Sequence, residues 1–293
     1  MSRILNVGIA TLDIINHVDH YPEEDEELRA LAQESCCGGN AANSASVLSQ
    51  FGHQVSLLCT LADDAAGAQM RRDLQTHGVL TDQIVTLDPA RTPTSCITLN
   101  RANGSRTIVH HRDLPELQAG DFPYSRIEHY DWFHFEGRNI EVSEQMLRRL
   151  SEQRVDQPIS VEIEKSRRGI ERLYDYADIL LFSRAFALQQ GYTCANDLFD
   201  ALRQQGISAI LVCSWAEQGA WACDRHGNRY HQPAFVPEQI VDTLGAGDTF
   251  NAGLIHALLE GRSIAAALET ACKLAGRKVG QTGFAHLSQI GTE

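Results

Sequence analysis

An α/β layer fold with a mainly parallel central sheet is the architecture this residue pattern predicts. Three observations carry that expectation. Short apolar runs alternate with amphipathic stretches along most of the chain, a glycine-rich turn opens an apolar helix near residue 245, and two segments show strand periodicity with no helix beside them. In folds of this class ligands gather at the carboxyl ends of the parallel strands, so polar residues that follow strands are where chemistry is sought first.

Taken in order, Arg3 to Ile9 reads as a buried strand, and Asn40 to Phe51 as a helix with Asn40 near its start and Gly52 closing it. Val55 to Thr60 is the next strand, and Ala65 to His77 a helix ended by Gly78. Trp132 to Phe135, Pro158 to Ile163, Ile179 to Phe182 and Ile207 to Cys213 are later short strands, most of them separated by helical stretches. From Ile14 to Gln33 and from Ser95 to His111 the apolar residues alternate as in strands, and Asn103-Gly104 marks a hairpin turn. These two pieces predict an accessory sheet; the alternative is a plain extension of the main sheet. A one-sided sheet also needs a cover. With no repeat, low-complexity tract or linker, residues 1–293 read as a single domain.

Composition narrows the class. Hydrophobic residues make up 43% of 293, and a chain of this size hides roughly 75% of its unfolded surface on folding. No apolar run reaches the ~18 residues of a membrane span, and the stretch from Ile4 to Ile15 is broken by Asn6 and Asp13, unlike a signal peptide. A cytoplasmic protein is expected. The 8 cysteines are scattered apart from adjacent Cys36 and Cys37, which is no disulfide framework, and His110-His111 lacks further ligands at zinc spacing. A net charge of −13, from 25 basic and 38 acidic residues, argues against nucleic acid and anionic membranes as partners.

The stretch from Asp242 to Phe250, Asp-Thr-Leu-Gly-Ala-Gly-Asp-Thr-Phe, carries the most chemistry. Gly245 and Gly247 permit tight backbone geometry, and the helix start after them leaves unpaired N–H groups pointing at one spot, which attracts phosphate. The amides of Ala246, Gly247 and Asp248 can stabilise charge on a transferring phosphoryl group while the Asp248 carboxylate accepts a proton from an attacking hydroxyl. A capping role for Asp248 is the alternative. Near the N-terminus, Asp13, Asp25 in the run Pro22 to Glu27, and Gly38-Gly39-Asn40-Ala-Ala-Asn43 offer acceptors and amides suited to a polyol. Singly, each has a plain reading as turn residue, helix cap or solvated surface.

The Asp-Thr-x-Gly-Ala-Gly-Asp-Thr-Phe motif resembles the signature of the ribokinase-like (PfkB-type) carbohydrate kinases, and Asp13, Asp25 and Gly39-Asn40-x-x-Asn43 fall where that family carries sugar-binding residues. Asn103-Gly-Ser-Arg-Thr107, Phe135-Glu-Gly-Arg-Asn139, Val161-Glu-Ile-Glu-Lys165 and Val212-Cys-Ser-Trp-Ala-Glu217 look like its ketohexokinase branch. The resemblance covers nearly the whole chain. It implies a three-layer α/β/α sandwich with a small β-sheet lid, built from about 14–35 and 93–112, that often forms a dimer interface. It also implies Mg-ATP as co-substrate and transfer to the 1-hydroxyl of fructose or a related ketose. Another acceptor, such as an acidic ketose, a sugar phosphate or a nucleoside, is the alternative, and a sugar-sensing protein without chemistry a more distant one.

By that resemblance Asp248 is the general base and residues 245–248 the anion hole; Asp13, Asp25, Gly39, Asn40 and Asn43 hold the ketose; and Arg106 reaches over from the lid hairpin toward sugar and γ-phosphate. Arg138 is a second cation for the phosphates, with an ion pair to Glu136 or Glu162 as its alternative. Trp215, Glu217, Gly219, Phe235, Pro237 and Cys272 would flank the nucleotide, Trp215 being equally suited to the core. No Gly-x-x-x-x-Gly-Lys-Ser/Thr loop is present. The family's Asn-x-x-Glu after a central strand is replaced by Ser183-Arg-Ala-Phe186, leaving Glu162 and Glu164 to organise Mg²⁺, and a K⁺ loop near Asp242 and Thr243 is a further implication.

Overall fold

The computed structural model describes residues 1–289; residues 290–293, the end of the expected single domain, lie outside the described residues. In chain order the elements are β1 (Arg3–Val7), β2 (Thr11–Val18), β3 (Ala32–Gly38), α1 (Asn40–Gln50), β4 (Gln54–Leu58), β5 (Thr60–Ala62), α2 (Ala65–Thr76) and β6 (Val85–Leu87). There follow β7 (Thr94–Asn100), β8 (Arg106–His111), β9 (Trp132–Glu136), α3 (Ile140–Gln153), β10 (Ile159–Ile163), β11 (Ile179–Ser183), α4 (Arg184–Gln189) and α5 (Ala195–Gln204). The chain closes with β12 (Ile210–Ser214), β13 (Ala220–Cys223), β14 (Arg229–Gln232), α6 (Ala246–Leu259) and α7 (Ile264–Val279).

An 8-stranded sheet, ordered β14-β13-β12-β11-β10-β9-β1-β4, forms the middle layer; all its pairings are parallel except those of β13 and β14. Its inner parallel strands are mostly apolar because both faces are covered, whereas the edge strand β14, Arg-Tyr-His-Gln, is polar and partly exposed. Ile4, Trp132, Ile179 and Leu181 pack on one side with α1, α6 and α7, while Leu5, Phe133, Phe135, Leu180 and Phe182 pack on the other with α3 and α5. That two-residue alternation along each strand makes two cores around one sheet. Among the described residues no helix is long and apolar enough to cross a membrane.

The two helix-free segments do not extend this sheet. They build a 4-stranded sheet of their own, ordered β3-β2-β7-β8, with β7 parallel to β2 and the outer pairs antiparallel. The strands begin earlier and end later than the periodicity suggests: β2 starts at Thr11 and β3 runs to Gly38. Asp13 is therefore no residue at the end of a strand; it lies inside β2, opposite Cys36 and beside Ser95. The hairpin turn at Asn103-Gly104 joins β7 to β8, with Gly104 at φ 70°. This sheet has a small core of Ile15, Ile97 and Leu99, against which Leu244 packs from the loop before α6.

Candidate active site

Where the two sheets meet, a cavity of about 540 Å³ opens at the carboxyl ends of the parallel strands. Its wall is the start of α6. Gly245 precedes the helix at φ 75°, and a Cβ there would come 2.3 Å from the Phe284 ring, so only glycine fits. Gly247 differs from the expectation: its φ is not positive, and a Cβ on it would meet nothing within 4 Å. Its missing side chain keeps the wall open instead. Among the described residues the Gly247 and Asp248 amides have no backbone partner, and the Ala246 amide has only a 3.4 Å contact to Thr243 O.

Asp248, the third residue of α6, is only 6% exposed. Its Oδ2 accepts from Asn43 Nδ2 at 2.7 Å, and its carbonyl accepts from Ser44 Oγ at 3.2 Å, so the crossing of α1 and α6 fixes it. Those bonds replace the capping alternative, because the helix has no side-chain cap. Burial, with Glu164 and Glu136 nearby, raises the carboxyl from 3.8 to about 7 despite the Asn43 bond and Arg106. A carboxyl that titrates near neutrality results, the range suited to proton transfer.

Behind Asp248 lies a layer of carboxylates. Asn40 Nδ2 donates to Glu162 Oε2 at 3.2 Å and to Glu164 Oε2 at 3.1 Å, and Asn251 Nδ2 donates to Glu162 Oε1 at 2.9 Å. Burial, together with Asp248, Glu136 and Glu164, pushes Glu162 well above the usual carboxylate range. Both oxygens of Glu162 are thus taken by amides, which suits an inner-sphere Mg²⁺ ligand poorly. Among the described residues no group of three or more His, Cys, Asp or Glu has metal-holding geometry.

On the opposite wall, Thr11 Oγ1 donates to Asp13 Oδ1 at 2.8 Å, and the Asp13 carboxylate fills the space a Cβ on Gly38 would need. Burial pushes this carboxyl up, while bonds from Thr11 and Ser95 hold it down. Gly39, at φ 100°, starts α1, and a Cβ on it would lie 2.6 Å from Ile9 O. Asp13, Gly39, Asn40, Asn43, Arg106, Arg138, Glu162, Glu164 and the 245–248 turn all line one cavity. Arg106, on the exposed strand β8, donates from Nη1 to Thr243 Oγ1 at 2.8 Å, and Thr243 Oγ1 donates to Gly104 O at 3.3 Å. The hairpin is thereby docked on the loop that leads into α6.

Other expected residues sit elsewhere, and Arg138, though in the cavity wall, is already paired. Asp25 is exposed at φ 64° in the loop between β2 and β3 and does not line the cavity; nothing in an acidic run dictates where its loop points. Arg138 is held by Glu116 Oε1, at 2.9 Å from Nε and 2.5 Å from Nη2, and by Glu136 Oε1 at 3.2 Å, so its charge is largely answered within the protein. Trp215 is buried, packed edge-on to Trp221 in the core. Glu217 is exposed and paired with Arg184 at 2.8 Å. Gly219, at φ 90°, lies under Gln232 and Pro233, while along α7 Gln232 meets Cys272, Phe235 meets Gly276 and Pro237 meets Gly280. A K⁺ ion at Asp242 does not fit: Asp242 Oδ2 and its carbonyl accept from Lys278 Nζ at 2.6 and 3.2 Å.

No site role was expected for Asn251, Lys165, Arg167 or His110, all in the cavity wall, or for Lys278. Asn251 had a signal, since it follows Asp248 by one helical turn on the same face. Lys278 follows Arg277 in the last turn of α7, where basic residues ordinarily answer the helix C-terminus, so nothing local set it apart.

The chain is similar to known proteins over nearly its whole length. Residues 1–290 match the model of the pfkB family carbohydrate kinases. Ketohexokinase from Mus musculus is 40% identical over 290 residues, 96% of this chain and 97% of the mouse protein. The ATP-dependent ribose-1-phosphate kinase of Halopiger xanaduensis is 26% identical over 97% of this chain and 94% of its own. Among solved structures, Arabidopsis thaliana ribokinase complexed with ribose and ATP superposes with a TM-score of 0.80 at 20% identity, covering 96% of this chain and 94% of that one. The fold is therefore ribokinase-like, and the chain belongs to the pfkB family of carbohydrate kinases.

Proposed function

We propose that this kinase transfers the γ-phosphate of ATP to the 1-hydroxyl of a free ketose, fructose foremost. The observation that carries this reading is the buried Asp248 carboxyl, raised to about 7, held by Asn43, in the same helix turn as the unpaired Gly247 and Asp248 amides and lining one cavity with Asp13 and Asn40. The 40% identity to a protein named ketohexokinase supports the choice of sugar.

In the proposed reaction Asp13, Asn40 and Asn43 hold the ketose hydroxyls, with Gly39 giving backbone access. Asp248 takes the proton of the primary hydroxyl as its oxygen bonds to the γ-phosphorus, and the bond from that phosphorus to the β,γ-bridging oxygen breaks to release ADP. The amides of Ala246, Gly247 and Asp248 and the Arg106 guanidinium meet the charge on the transferring oxygens. Mg²⁺ would enter with ATP as part of the substrate, and Glu164 in the cavity wall would be the residue to help hold it. Lys165 and Arg167, with Arg138 in support, face the nucleotide phosphates. Gly219, Phe235, Pro237 and Cys272 flank the adenine. The 4-stranded sheet closes over the sugar as a lid and pairs two copies as a homodimer in the cytoplasm.

ADP release from Mg-ATP across fructose, tagatose, ribose, adenosine and sugar phosphates tests this. Selective turnover with free ketoses is expected. Turnover confined to ribose, a nucleoside or a sugar phosphate would overturn the acceptor, and binding of sugar without turnover would leave a sensor.

A further inference from the structure

Lys278, next to last in α7, has no exposed surface. Its Nζ donates to Asp242 Oδ2 at 2.6 Å, to Asp242 O at 3.2 Å and to Gln281 O at 3.5 Å, and lies 5.5 Å from the centre of the Phe284 ring. Asp242 passes this anchorage forward: its Oδ1 accepts from the Leu244 amide at 2.8 Å. The Val241 and Asp242 amides both donate to Val279 O, at 2.8 and 3.1 Å. Phe284 in turn fills the space beside Gly245. Ammonium, carboxylate and ring are thus packed directly behind the turn that presents the 246–248 amides.

A buried ammonium is costly unless it is paired and its protons are satisfied. Here one carboxylate oxygen and two carbonyl oxygens surround it. That all-oxygen set with one negative charge is also what a monovalent metal cation takes, and two cations cannot share one carboxylate oxygen without strong repulsion.

We propose that Lys278 is the built-in monovalent cation of this loop: a positioning residue whose ammonium, through Asp242, sets the anion-hole turn and leaves the enzyme independent of added K⁺. A tethered cation holds the loop at any salt composition, whereas a bound ion would hold it only when present in excess. The proposal rests on reading the 246–248 amides as the anion hole.

The test compares wild type with Lys278→Met, each with K⁺ or with tetramethylammonium at matched ionic strength, by fructose kinetics and by thermal unfolding. Wild-type kcat and Tm should be the same in both salts. Lys278→Met in tetramethylammonium should lose kcat by about ten- to a hundredfold, the range usual when a positioning partner goes, with the KM for ketose little changed. K⁺ or ammonium should then restore part of its kcat and raise its Tm. Activation or thermal stabilisation of wild type by K⁺ specifically overturns the proposal. So does a Lys278→Met protein that keeps full kcat without K⁺, or one whose lost kcat no monovalent cation restores. If Lys278→Met does not fold, the wild-type salt comparison still decides. Its thermal arm needs no substrate, so an error in the acceptor sugar would not be mistaken for an error here.

Discussion

The two sheets that meet at the cavity are built on opposite terms. In the 8-stranded sheet, β9 and β10 are buried along their whole length between two cores. The 4-stranded sheet buries only Ile15, Ile97 and Leu99 as its core and leaves all of β8 exposed. The groups whose geometry must be held, Asp248, Glu162 and the 246–248 amides, hang from the first sheet and its helices; Arg106 hangs from the second. A weakly packed element opens at lower free energy than a core element. On the proposed reaction the site therefore joins a fixed half, carrying the proposed base and anion hole, to a less packed half that brings a cation.

Variants at the base should break this contrast most sharply. Asp248→Asn should turn over about 10²–10⁴-fold more slowly, the usual worth of a general base, while both KM values stay within a few-fold; steady-state kinetics checks this. Next in size is Phe133→Ala in the buried sheet, which should cost about 3–5 kcal/mol of stability, against about 0.5 kcal/mol or less for Val109→Ala on β8. Denaturant unfolding of the two variants measures the difference directly. Equal losses would mean that β8 is covered in solution, as a dimer through this sheet requires. Arg106→Ala should lower kcat with little change in Tm, because its guanidinium is exposed and bonds only Thr243 among the described residues.

The smallest effect concerns stability and pH. The Asp248 carboxyl is raised in the fold from 3.8 to about 7, so the protonated form is the one the fold favours. Its favourable contribution is complete below the unfolded value and is lost as pH rises through the folded one. Above neutrality the wild type carries a buried charge that Asp248→Asn lacks. The variant should melt higher than wild type at alkaline pH, and the gap should narrow as pH falls toward the unfolded value. A gap that widens on acidification would contradict the burial described for Asp248.

Much of the fold was legible because its signals are local. The strand at Trp132–Glu136 and the helix at Asn40–Gln50 follow from runs and caps within a few residues, and the turn at 245–248 places base and amides together without reference to the rest of the chain. What stayed hidden depends on contacts between distant residues. Glu116, 22 residues from Arg138, turns a free-looking cation into a paired one. Lys278 and Asp242, 36 residues apart, meet only once α7 is laid behind the loop. Asp25 and Trp215 mark the converse: an acidic run and an aromatic residue each have a chemical use, and nothing in their neighbours says whether the chain turns them toward the cavity, the solvent or the core.

The central claim is that Asp248 must be ionised to accept the hydroxyl proton, and kcat measured against pH with saturating fructose and Mg-ATP tests it most directly. The account predicts that kcat falls by one proton's dependence on acidification, centred about 7, where the Asp248 carboxyl gains its proton. A kcat that holds level through neutrality and into acid would contradict it.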